Sequence, residues 1–181
     1  MTRSRDRHEA VTRRAWLAAI WPQIVAAQQH AHEAVRSGDS RLQVLAPDAA
    51  REIETLAARI LPADDTPGAR EAGVIYFIDR ALATFDQDKR AAYRKGLGQV
   101  QAERRKLFPA SSSITGLTAD QQDQLLRAIE KTVFFNQLRT HTILGFFGHP
   151  SYGGNRGLVG WKLIGFEDRA SFEPPFGFYD R

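Results

Sequence analysis

Cysteine is absent from all 181 residues. That absence excludes a disulfide framework, a zinc–thiolate site, an iron–sulfur cluster and covalent haem attachment through a CxxCH motif. Before residue 150 there is also no alternating apolar–polar run long enough for a half-buried strand, which argues against a sheet. The apolar run at residues 16–27 is far shorter than the roughly 20 residues that a helix needs to cross a bilayer. No internal repeat or low-complexity block occurs. Charge of one sign is scarce as well. The formal net charge is +4, and residues 1–27 hold five arginines against Asp6 and Glu9, a net of +3 that leaves only +1 for the rest. A nearly neutral body gives a nucleic acid little to bind. The cluster Arg104, Arg105 and Lys106 sits beside Glu103 and reads as a solvated helix face.

What is present suits a folding chain with one core, 43% hydrophobic and 25% charged, with a leader and a tail. In the leader, Arg13 and Arg14 precede the apolar run, which ends in Val25, Ala26 and Ala27. This pattern resembles a twin-arginine export signal over residues 1–27, with cleavage before Gln28 and a periplasmic destination. The other reading is an amphipathic first helix retained in the protein; Pro22 and Gln23 inside the run count against the signal. A cleaved chain would begin Gln28-Gln29-His30, which resembles an amino-terminal copper chelate. Residues 28–45 read better as a polar, mobile linker carrying His30 and His32.

Residues 46–147 read as an all-α helical domain. Ile53, Leu56, Ala57, Ile60 and Leu61 share one helical face between Pro47, suited to a first turn, and Pro62, which ends the run. Turn formers at 62–68 then lead to a second helix with Val74, Ile78, Ala81, Leu82 and Phe85 on one side. Asp64 and Asp65 offer too few donors for a metal and read as turn or cap residues. Gly96 and Gly98 lower the expectation of an unbroken helix across residues 86–108. Thr118 and Gln121 fit a capping box that opens the stripe Leu125, Leu126, Ile129 and Val133, running on through Leu138 towards Phe147. Residues 148–181 read as an irregular extension rich in glycine, proline and aromatics.

Two stretches carry a family likeness: LPADDTPGAREAGVIYFIDRAL at 61–82 and FFNQLRTHTILGFFGHPSYGGNRGLVGWKLIGF at 134–166. Both resemble the gluconate 2-dehydrogenase subunit 3 family, over roughly residues 45 to 168. The second is the more specific, because it sets Gly153-Gly154-Asn155-Arg156 close to Gly160-Trp161-Lys162. The resemblance implies a non-catalytic small subunit. Its partner would be a large FAD-containing dehydrogenase of the glucose–methanol–choline type that oxidises a sugar, glycoside or sugar acid. It also implies a c-type cytochrome as the usual electron acceptor, and a twin-arginine signal on the small subunit that serves the complex.

The glycine-rich segment admits more than one use. A phosphate cradle at 153–157 follows a segment that reads as helix, where a dinucleotide fingerprint needs a strand. Half of the 18 aromatic residues fall within 146–181, which points to docking on a partner through Phe147, Tyr152, Gly153, Gly154, Asn155, Arg156, Trp161 and Phe166. The competing reading has the tail wrap the bundle and bury its rings within the chain. A self-sufficient ligand-binding or enzymatic site would draw on His141, His149 and Arg156. The sequence shows no second donor beside either histidine. No catalytic, cofactor or metal residue is expected in this chain.

Overall fold

In a computed structural model the described residues are 41–169 and Ser171. Arg13, Arg14, the signal, the copper reading and the tail aromatics beyond residue 171 lie outside them. The described residues form six α-helices and no strand: α1 (Pro47–Ile60), α2 (Val74–Ala83), α3 (Arg90–Leu107), α4 (Ala119–Ile129), α5 (Val133–Phe147) and α6 (Val159–Leu163). Short 3₁₀ turns occur at Gln87–Lys89, Pro150–Tyr152 and Arg156–Leu158.

α1 starts with Pro47 in its first turn and buries Ile53, Leu56 and Ala57, the stripe that its periodicity marks. A bidentate pair of 2.7 Å bonds from Arg59 to Asp123 ties it to α4. In the following loop Asp64 accepts from both the amide and the hydroxyl of Thr66, a turn-forming role. α2 is buried on nearly every side, through Val74, Ile75, Phe77, Ile78, Ala81 and Leu82, and packs against α1 and α5. Hydrophobicity around the whole circumference is what a central helix requires.

The 43–45 segment joins this core through one carboxylate. Asp79 on α2, 2% exposed, accepts from the amides of Gln43 (2.5 Å), Val44 (3.0 Å) and Leu45 (2.8 Å). Three amide donors satisfy the buried carboxylate.

α3 runs unbroken through both of its glycines. Gly96 is buried because the Phe134 ring of α5 occupies the space where a Cβ would stand, only 2.4 Å away. Arg104 corrects the expectation of a solvated face: it is 5% exposed, its Nε donates to Gln101 at 3.0 Å and its Nη1 to the Ser111 carbonyl. Arg105 and Lys106 do face solvent. The expected capping box forms, with Gln121 N donating to Thr118 Oγ1 and Thr118 N to Gln121 Oε1. The apolar stripe beyond it is divided between two helices, because Thr132 caps α5 by accepting from the amide of Phe135 at 3.1 Å.

Candidate functional site

Both candidate sites are built on α5, which packs against α1, α2 and α3 and also meets α6. The first site is a buried polar chain. Tyr93 Oη lies 2.7 Å from His141 Nδ1, His141 Nε2 lies 2.9 Å from Asp86 Oδ2, and Lys89 Nζ donates to Asp86 Oδ1 at 2.5 Å. One tautomer of neutral imidazole satisfies every group: the phenol donates to Nδ1 and Nε2–H donates to the carboxylate.

Burial holds His141 below the ordinary histidine value, against the opposing bond and charge of Asp86. Burial, with the Asp86 charge, pushes the Tyr93 phenol well above its usual range. For Asp86, burial would raise the carboxyl, but the bonds from Lys89 and His141 outweigh it and hold the group below the usual carboxylate range. Both nitrogens of His141 are occupied inside the protein, so neither is placed to take a proton from a substrate.

The second site is the segment after α5. His149 accepts from the Ser151 amide at 3.1 Å, and its Nδ1 lies 2.7 Å from Ser151 Oγ, with Nε2 3.8 Å from Asp168 Oδ2. The order Ser–His–Asp imitates a nucleophilic triad. Here, however, the Ser151 hydroxyl is buried and the nitrogen it faces already accepts that residue's own amide, which makes the imidazole the cap of the Pro150–Tyr152 turn. His141 lies against Tyr93 and Phe77, His149 against Trp161, and the Arg156 guanidinium sits 3.7 Å from the Tyr76 ring centroid. Each has its own set of neighbours, and the geometry does not gather them into one site.

The glycine-rich motif is threaded against α5. A Cβ on Gly154 would stand 2.0 Å from the Gly145 carbonyl oxygen, and one on Gly160 would stand 2.0 Å from that of Phe146. Only glycine permits so close an approach of backbone to backbone. Gly153 turns the chain with φ +101°.

Asn155, fully buried and itself left-handed at φ +46°, fastens the turn. Its Nδ2 donates to the Gly148 carbonyl at 3.0 Å, its Oδ1 accepts from Gly160 N at 2.9 Å, and its own amide donates to Gly145 O at 2.7 Å. The Arg156 amide donates to Ala72 O at 3.0 Å, and Arg80 Nη1 to Ser151 O at 2.7 Å. Trp161, nearly buried, donates from Nε1 to the carbonyl of half-buried Phe147 at 2.7 Å.

Of the eight residues read as a docking set, Gly154, Asn155 and Trp161 are buried in contacts within the chain, and Gly153 and Arg156 rest on α2. Tyr152 and Phe166 present about half of their surface to solvent. Tyr152 meets Phe85 edge-on, with 6.2 Å between ring centroids, and the two form an exposed aromatic pair. Sequence reasoning placed Phe85 on the apolar side of the second helix, whereas it lies past the end of α2 and is 55% exposed, and it passed over Asp86 and Tyr93 as partners of His141. Asp86 lies in the turn after α2, Tyr93 on α3 and His141 on α5, and no local spacing announces that they meet.

The family model described as Gluconate 2-dehydrogenase subunit 3 matches residues 47–168. No curated protein and no solved structure matches the chain.

Proposed function

The chain belongs to the gluconate 2-dehydrogenase subunit 3 family, and from that premise we propose that it is a non-catalytic subunit that binds and stabilises a large FAD-containing dehydrogenase of the glucose–methanol–choline type. The partner oxidises a sugar, glycoside or sugar acid and holds the flavin. This chain holds none. The observation that carries the reading is that the match spans the whole helical body. In keeping with it, the Asn155 side chain of the motif and both nitrogens of His141 are already bonded within the chain. A domain whose buried characteristic residues serve its own fold contributes shape and surface to a complex.

We further propose that Arg13 and Arg14 direct export of the assembled complex to the periplasm, where a c-type cytochrome takes the electrons. Export through a route for folded proteins suits a subunit that travels with a loaded flavoprotein. Co-expression with the large subunit tests both statements. With this chain present, the flavoprotein is expected soluble, exported and active; with Arg13→Lys and Arg14→Lys together, it is expected active but retained in the cytoplasm. A large subunit that is exported and fully active alone overturns the reading.

A further inference from the structure

A stabilising subunit needs a surface for its partner, and the glycine-rich motif, turned onto α2 and α5, offers little of one. α1 and α3 do not pack closely on one another, and between them lies a groove of about 480 Å³. Val44, Leu45, Ala49, Leu97 and Gly98 give it an accessible apolar lining, over a floor of buried Ile53, Leu82 and Tyr93. From Arg90 to Gln101 it follows α3 for roughly 16 Å, the length of three helical turns. At Gly98 an added Cβ would meet nothing within 4 Å, so the bare α3 backbone faces open space and another backbone could approach it closely.

The open charge at this groove is positive. Arg94 has no hydrogen bond or ion pair among the described residues. Arg90 donates from Nε and Nη2 to the carbonyls of Leu82 and Ala83, which anchors it at the same end. At the far end, Glu52 is engaged by Gln101 and by the amide of Ile114.

We propose that this groove receives an amphipathic helix of the large dehydrogenase subunit. The helix lays short apolar side chains, spaced i, i+3, i+4 and i+7, along α1 and α3, and brings carboxylates over Arg94 and Arg90. The proposal rests on the accessory-subunit reading above.

Two substitutions probe the groove with little effect on the fold: Gly98→Leu fills it from a position with free space, and Arg94→Glu inverts its charge. Exposed Arg105→Glu is the control. The full chain is co-expressed with the large subunit, complex formation is measured by size-exclusion chromatography and titration, and each variant's melting temperature is recorded alone. Wild type and Arg105→Glu are expected to bind alike, while Gly98→Leu and Arg94→Glu each weaken binding by about tenfold or more with no fall in melting temperature. If wild type binds and both groove variants stay within about twofold of it, or if Arg105→Glu weakens binding as much, the groove proposal is overturned while the accessory-subunit reading stands. If wild type forms no complex, both fall.

Discussion

Asn155 performs three tasks from one position: it takes a left-handed turn, accepts for Gly160 and donates to Gly148. Asparagine tolerates that backbone better than most residues. Asn155→Ala takes the side-chain partner from the buried Gly160 amide and the half-buried Gly148 carbonyl. It should cost about 2–3 kcal/mol in urea denaturation, a loss unrelated to any partner. The sequence singled out this residue, but for docking, because a Gly-Gly-Asn-Arg string shows that a turn is tight without showing what it is tight against.

The Tyr93–His141–Asp86 chain sets the pH behaviour. An unfolded imidazole takes a proton near pH 6.5, whereas folded His141 resists it. Its contribution is therefore full above about pH 6.5 and is lost as pH falls below that value. Asp86, held low, adds a second loss at more acid pH, as the carboxylate gives way. Tyr93 has the opposite sign: its phenol is held high, so its contribution is present below about pH 10 and is lost as pH rises beyond it. A melting-temperature profile should show a plateau between these limits, and Tyr93→Phe should flatten the alkaline descent while leaving the acid one.

At the scale of elements, the two glycines of α3 make opposite predictions. Gly98→Ala should stabilise the isolated chain by about 0.5–1 kcal/mol, because a helical alanine replaces a helical glycine in open space. Gly96→Ala should destabilise it by about 1–3 kcal/mol, because the new methyl strikes the Phe134 ring. Thermal denaturation of the two variants side by side checks both signs. In the sequence these glycines looked alike, as possible breaks, since what distinguishes them is a ring brought from α5. Helix faces and caps were legible for the opposite reason. The stripe of α1, the Pro47 start and the Thr118–Gln121 box depend on residues within four positions of each other.

Asp79 belongs to this scale too. Asp79→Ala removes the acceptor of three amides, so hydrogen exchange at Gln43, Val44 and Leu45 should accelerate to nearly that of an open chain while the core helices keep their protection. No sequence pattern marks an aspartate in the middle of an apolar helix as a tether for a segment 34 to 36 residues earlier.

For the whole molecule, the all-α architecture followed from the absence of strand patterning and the presence of helical stripes, and family membership from two strings at 61–82 and 134–166. The relation between those strings did not follow. They belong together because the second is folded onto the first: Gly145 meets Phe77, Gly153 meets the Tyr76 backbone, and the Arg156 amide bonds to Ala72. The most specific part of the sequence is thus a contact between α2 and the end of the domain.

That contact bears on biosynthesis. The groups that close over α2 and α5 are supplied at positions 151 to 161, so a chain emerging from the ribosome has made more than four fifths of the 181 residues before its central helix can be covered. Until then the Tyr76 backbone and the Gly145 and Phe147 carbonyls await their partners. The domain completes itself late, and nascent chains stalled shortly before Trp161 should be protease-sensitive where chains released in full are not.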